Sequence, residues 1–263
     1  MLVGGVVIGL VVLVTLLAPV IAPYNPTEPA PLTSLASPSW SHPFGTDISG
    51  FDVLSRVLYA PRVDVTIAVL ATLLSIVIGV PLGVISGYFG RGVGESIVRV
   101  SDIVQAFPIF ILAMALVALS GHGVSNLILT IAFLNSPLYL RLMRSRTLAV
   151  RRRTFVEASV IGANATRWTI FRHVLPNAIS PVFVQASITI GWSILLVAGL
   201  SFVGAGVNAP TPEWGSMISI GAGNVITGEW WPSVFPGLAI MITVLGLSLF
   251  GAGLQRLFAR GRL

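Results

Sequence analysis

The densest set of potentially reactive side chains lies between Thr154 and Pro176, in TFVEASVIGANATRWTIFRHVLP. An acid, Glu157, is followed by the small residues Ala158 and Ser159. Gly162 and Asn164 interrupt the run. Trp168, Ile170, Phe171 and Val174 then recur among Arg167 and Arg172 before Leu175-Pro176. Thr154, three residues ahead of Glu157, has the form of a capping box and predicts a helix starting at Thr154. Gly162 suits a left-handed turn, and Asn164 suits the cap of a second helix from about Thr166, which Pro176 ends or kinks. The chemistry open to such a unit is recognition: an apolar stripe on a basic background, offered to another protein or to lipid headgroups.

No catalytic set stands beside it. The chain has no cysteine, and all 15 of its basic residues are arginine. No thiolate, disulfide or complete P-loop can therefore form. His42, His122 and His173 lie in separate regions, and neither HExxH nor GxSxG occurs. These observations predict a chain without its own metal, cofactor or hydrolytic centre.

The elements that position this unit are membrane helices. Of 263 residues, 55% are hydrophobic and 9% charged, against roughly 25% charged in soluble domains. Charge at mid-bilayer is costly, so charge-free gaps mark spans of about 20 residues. Leu2–Ala22 is the first and 65–90 holds the second. Residues 103–140 are also charge-free, about 57 Å as one helix and too long for a single crossing. Gly121-His122-Gly123 divides them into a third and a fourth. The fifth runs from after Asn177-Ala178 to about Phe202, and the sixth from about Val234 to Phe250. The fold class expected is an all-α polytopic membrane protein with six transmembrane helices.

Arginine placement orients it. Arg91 and Arg99 follow span two. Arg141, Arg144, Arg146, Arg151, Arg152, Arg153, Arg167 and Arg172 follow span four, and Arg256, Arg260 and Arg262 follow span six. Only Arg56 and Arg62 fall on the opposite side, with Glu28, Asp47, Asp52, Asp64, Glu213 and Glu229. By the positive-inside rule both termini and the 154–176 loop are cytoplasmic. The net charge of +6 thus reads as topology, with the bilayer and not nucleic acid as partner. The acid surplus outside favours neutral or cationic cargo. The division expected is a first helix over 1–22, an extracytoplasmic segment with an amphipathic lead-in over 23–64, a five-helix core over 65–255 and a basic cytoplasmic tail over 256–263. The first helix lacks a charged leading region and is too long for a signal-peptide core, so it is expected to stay uncleaved.

Within the spans, Gly79, Gly83 and Gly87 form a small-xxx-small series for close helix packing, inside the chain or against a partner. Pro81 and Pro137 predict kinks. Gln105, Asn126, Asn135 and Gln185 are candidate pathway-lining residues, with interhelical hydrogen bonding as the alternative. Asp102 is expected to pair with Arg99 or to cap a helix. No buried intramembrane carboxylate is expected, which weighs against an ion-coupled secondary transporter, the second function class considered. Trp214 and Trp230-Trp231 read as interfacial anchors.

Several separated motifs share one resemblance. Glu157-Ala158-Ser159 stands 18 residues before Leu175-Pro176. HPFGTDISGFDVLSRVLYAPR (His42–Arg62), VRVSDIVQAFP (Val98–Pro108) and SFVGAGVNAPTPEWGSMI (Ser201–Ile218) follow in the matching order along the chain. Together they resemble permease subunits of binding-protein-dependent ABC importers of the dipeptide/oligopeptide/nickel type. Three departures are visible: Phe51 replaces a usual basic residue, Gly162 falls one residue early, and GAGLQRLF lacks the usual acids. The resemblance implies a type I ABC importer permease fold in a bacterial or archaeal cell membrane. It implies a second homologous permease, two cytoplasmic ATPases that bind ATP and Mg, and an extracytoplasmic solute-binding protein. It assigns ATPase docking to Glu157, Ala158, Gly162, Trp168, Ile170, Phe171, Leu175 and Pro176. The cargo implied is di- or oligopeptides or related small solutes.

Overall fold

The computed structural model describes residues 1–90 and 92–260, so Arg91 and the last residues of the expected basic tail lie outside the described residues. Its elements are α1 (Leu2–Ile21), α2 (Val53–Tyr59), α3 (Pro61–Phe89), α4 (Val93–Gln105), α5 (Ile109–Ser120), α6 (Val124–Arg151), α7 (Thr154–Ile161), α8 (Thr166–Thr169), a π-helical turn (Ile170–Val174), α9 (Leu175–Ala178), α10 (Ser180–Phe202), α11 (Trp214–Ala222) and α12 (Trp231–Arg260). Five helical stretches are long and apolar enough to cross a membrane, with a sixth if α4 and α5 count as one. That pair is bent by 87° at the break before Pro108. Phe107 precedes a proline and is disfavoured in α conformation, so the helix stops there. The expected third span is therefore broken: α5 has only 12 residues, about 18 Å, shorter than a full crossing, and it counts as a span only together with the amphipathic α4 before it.

Helix ends differ from the charge-free gaps because helices run past the bilayer. Over its 28 residues α6 carries Arg141, Arg144, Arg146 and Arg151 on a helical extension that leads into the 154–176 loop. The second span begins at Pro61, inside the segment assigned to the exterior, and α12 starts at Trp231.

The glycine series resolves as packing within the chain. On Gly83 a Cβ would lie 2.6 Å from both the Leu140 carbonyl oxygen and Met143 Cβ, and on Gly87 it would lie 2.7 Å from Thr147 Cβ. Gly79 is pressed in the same way against Ser136 and Tyr139. The stripe lets α3 lie directly on the backbone of α6. In lipid this close approach supplies the association that water would otherwise drive.

Proline breaks are compensated by borrowed donors. Pro137 removes the amide that would bond the Phe133 carbonyl, and Ser136 Oγ donates to that oxygen at 2.8 Å. Pro19 in α1 leaves the Thr15 carbonyl free, and Arg62 Nε of α3 donates to it at 3.0 Å.

The acids assigned to the outer surface are largely interior. Asp47, Asp52, Asp64 and Glu213 are all buried. Asp52 caps α2 through the Ser55 amide at 2.8 Å and meets His42 Nδ1 at 2.9 Å. Burial pushes the Asp47 carboxyl up, opposed by the Phe51 amide, by the charge of Arg56 and by the Ser49 and Gly50 amides. Glu213 caps α11 through Gly215 and Ser216 at 2.8 and 2.7 Å, while Asp64 of α3 accepts from the Trp214 amide at 3.1 Å. Asp64, in the first turn of α3, and Glu213, at the cap of α11, thus form a buried carboxylate pair at the end of the bundle, and the Asp64–Trp214 bond fastens α11 to α3. Architectural acids leave little exposed negative charge, so the expected electrostatic preference for cationic cargo loses its basis.

Trp214 is buried as well, donating to the Val57 carbonyl at 3.2 Å, and Trp231 donates to the Thr46 carbonyl at 3.0 Å. Both tie inter-helix segments to the helices. Trp230 alone of the three is exposed.

Candidate functional site

The loop after α6 folds as two short helical pieces joined by a tight turn. The capping box does not form. The extended residue is Arg153 (φ −84, ψ 143), so Thr154 is already inside α7 and offers no side-chain cap. The Arg153 carbonyl accepts the amides of Val156 and Glu157 at 2.9 and 3.1 Å instead. Glu157 still sits in the first turn, where its charge favours the helix dipole.

The turn also differs in detail. Gly162 ends α7 with φ −71, a conformation open to any residue. The left-handed position is Ala163, at φ 56. One residue after the displaced glycine, an alanine adopts the geometry that a glycine would favour. Asn164 does not cap α8, which starts behind Ala165 without a side-chain cap. Its amide group reaches back to Ser159, donating to the carbonyl at 3.2 Å and to Oγ at 3.3 Å. Ser159 Oγ also meets Thr169 Oγ1 at 3.0 Å, with both residues buried. Ser159, Asn164 and Thr169 therefore clamp the two pieces together. Sequence reasoning read Ser159 only as a small residue after Glu157 and passed over Thr169. The available signal was two small hydroxyls on opposite sides of a Gly-Ala-Asn turn.

Beyond α8 the chain widens into the π turn before Pro176, which has no amide to continue an ordinary ladder. Val156, Thr169 and Val174 face inward. Ile170 and Leu175 pack on the cluster of Val80, Val84, Tyr139, Met143 and Val182. This places Ile170 against its own chain rather than on the outward surface expected of it. Trp168 and Phe171 project outward, and Ile161 and Phe171 are 85% and 69% exposed. Ala158, Gly162 and Pro176 are exposed too. Glu157 lines a cavity of about 660 Å³ with Arg151, Arg152, Val160, Ile161 and Tyr88. An apolar groove of about 450 Å³ is lined by Phe171 and Leu175 of the loop and by Pro81, Val84 and Phe89 of α3. The result is an exposed apolar ridge with arginines on its flanks, fixed to the end of α6.

The four polar span residues do not form one site. Asn135 is buried, and its amide donates to Ser193 Oγ of α10 at 3.2 Å. Gln185 is half-buried and lies 3.4 Å from Thr189 Oγ1 on its own helix. Asn126 closes the α5–α6 turn by donating to the Ser120 and Gly121 carbonyls at 2.6 and 2.9 Å. Gln105 is exposed at the end of α4. Asp102 pairs with Arg141 at 2.7 Å, across helices, and not with Arg99. No group of His, Asp and Glu suited to a metal occurs among the described residues.

A family model described as the binding-protein-dependent transport system inner membrane component matches residues 79–263. A second, the N-terminal TM domain of oligopeptide transport permease C, matches residues 1–38. The chain is 37% identical over 254 residues to the dipeptide transport system permease protein DppC of Alkalihalophilus pseudofirmus, covering 97% of this chain and 83% of that one. It is 42% identical over 260 residues to DppC of Escherichia coli K12, covering 96% and 86%. The probable D,D-dipeptide transport system permease protein DdpC of the same organism is 37% identical, covering 97% and 85%. Among solved structures, an inward-facing MetNI methionine ABC transporter aligns with a TM-score of 0.63 at 18% identity, over 76% of this chain and 95% of that chain.

Proposed function

Because the chain belongs to the binding-protein-dependent transport system inner membrane components, with the N-terminal domain of oligopeptide permease C, we propose that it carries di- or oligopeptides or related small solutes. It is a multi-pass inner-membrane permease subunit of an ABC importer with the type I permease fold, and it is a transport subunit rather than an enzyme. In this reading both termini are cytoplasmic. The chain works with a second homologous permease, two ATPases that bind ATP and Mg, and an extracytoplasmic solute-binding protein. Peptide cargo is supported by the names of its relatives, dipeptide permeases at 37% and 42% identity.

One observation carries the coupling role: the exposed ridge of Ile161, Trp168 and Phe171, held rigid by the Ser159–Thr169 clamp. Exposed apolar side chains of this size on a water-facing loop mark a binding surface. Glu157, Ala158, Gly162, Trp168, Phe171 and Pro176 lie on the outward side and meet the ATPase, while Ile170 and Leu175 seat the loop on α3 and α6. ATP-driven approach of the two ATPases moves this loop, and α6 transmits the motion to α10 through the Asn135–Ser193 hydrogen bond.

The test is to exchange Trp168 and Phe171 for glutamate and measure ATPase co-purification and binding-protein-dependent uptake. Both fall sharply while the permease still extracts as a folded protein. Retained ATPase binding and uptake in the double variant refute the docking role. Uptake driven by an ion gradient without ATP would favour the secondary-transporter alternative.

A further inference from the structure

A second feature lies at the opposite end of the bundle and takes no part in docking. An apolar groove of about 260 Å³ runs between α1, α2 and α12, walled by Val7, Val11, Val14, Val57, Leu58 and Ile242. It has room for roughly eight or nine groups of water or methylene size, at ~30 Å³ each. Its wall continues to Pro61 in the first turn of α3. The next residue is Arg62, an exposed cation where the chain enters the span.

The Arg62 guanidinium is held but not used up. Nε donates to the Thr15 carbonyl at 3.0 Å, Nη2 reaches the Leu16 carbonyl only at 3.5 Å, and the Tyr59 ring lies 5.1 Å from Cζ. Neither of the two acid–base pairs among the described residues involves Arg62. A planar guanidinium with one edge fixed presents its other edge in a set direction, the arrangement that suits a phosphate.

We propose that this groove and Arg62 form a phospholipid site, with the headgroup-proximal part of one acyl chain, about eight or nine methylenes, along the groove and the headgroup phosphate on the free Nη edge of Arg62. Charge complementarity supplies the selection. The groove cannot distinguish a bound tail from bulk lipid, since both surroundings are equally apolar. A fixed cation at a helix end beside a tail-shaped groove can, because it requires a phosphate at one position.

The probes are palmitoyl-oleoyl phosphatidylglycerol and the diacylglycerol with the same tails, counted on detergent-purified protein by native mass spectrometry. The unaltered chain retains the phospholipid and releases the diacylglycerol. Arg62→Gln lowers phospholipid retention about tenfold, the loss expected for a charge-assisted contact. Val11→Phe fills the groove, leaves every polar group in place and lowers retention likewise, so the test survives if the arginine variant fails to fold. A benzophenone side chain at position 11 labels phospholipid in native membranes. Equal retention by Val11→Phe, equal retention of diacylglycerol, or labelling of a protein subunit in place of lipid overturns the proposal.

Discussion

Replacing Gly83 with alanine tests the α3–α6 seam directly. The new Cβ would lie 2.6 Å from the Leu140 carbonyl oxygen and from Met143 Cβ, and 3.2 Å from the Arg144 amide nitrogen. Ordinary contact begins at 3.4 Å, so α6 must retreat by about 0.8 Å. Two of these atoms are backbone and the third is a Cβ, so no rotamer change relieves the clash. Overpacking of this kind costs about 1–3 kcal/mol. A gap of 0.5–1 Å along the rest of the seam forfeits a quarter to a half of each dispersion contact there, which puts Gly83→Ala near the upper end, at about 3 kcal/mol. Gly191→Ala is the control. Its Cβ would meet Val244 and Leu247 at 3.6 and 3.7 Å, so it gains helix propensity without a clash. Thermal unfolding of detergent-purified protein, followed by tryptophan fluorescence, separates the two. At ~2–4 °C per kcal/mol for a chain of this size, Gly83→Ala unfolds about 6–12 °C below the unaltered chain, and Gly191→Ala does not. Equal midpoints for the two variants would refute the close-packed seam.

Other predictions concern smaller features. Ala163→Gly relieves a left-handed alanine (φ 56) and stabilises the turn by about 1 kcal/mol; slower amide hydrogen exchange across residues 158–164 is the readout. Ser159→Ala and Thr169→Val each break a buried hydroxyl pair and cost about 1–3 kcal/mol. Their effects overlap, so the double variant loses less than the sum in a thermal-stability cycle. Asp102→Asn removes a pair whose side chains are 50% and 53% exposed, and shifts stability by less than about 1 kcal/mol, with high salt erasing the difference.

Helix number and the boundaries of the fifth span were legible because hydrocarbon thickness and charge cost act on composition alone. The α4–α5 bend was less so. Charge counting treats Ile103–Gln105 as apolar span, while Pro108 and the amphipathic pattern of α4 turn the chain aside. The acids misled for a related reason. Asp64 and Glu213 sit next to outer loops in sequence, yet each finds backbone amides inside the fold, and those donors come from the distant α11 or from the residue's own cap. In the 154–176 loop the pattern disclosed two helices and an apolar stripe that includes the exposed Trp168 and Phe171. It could not disclose that Arg153 and not Thr154 is the cap, which depends on the local backbone angles, nor that Ile170 at the start of the π turn turns inward, which depends on packing against α3 and α6.

The bond from Arg62 to the carbonyl left free by Pro19 bears on how this chain can be cut and rejoined. Residues 1–38 and 79–263 match separate family models, so the first helix is a natural unit for exchange. Arg62 lies outside both ranges, yet its donor completes the backbone of α1. At the other end Gly4 fits against Gly246 and Phe250 of α12. A foreign first helix grafted at residue 38 would therefore need a matching proline break and a matching glycine to seat as this one does. A graft lacking the proline would leave Arg62 without the oxygen it was placed to reach. The helix is modular in sequence but keyed at both ends in structure, and a chimera respecting only the sequence boundary would carry one key and miss its lock.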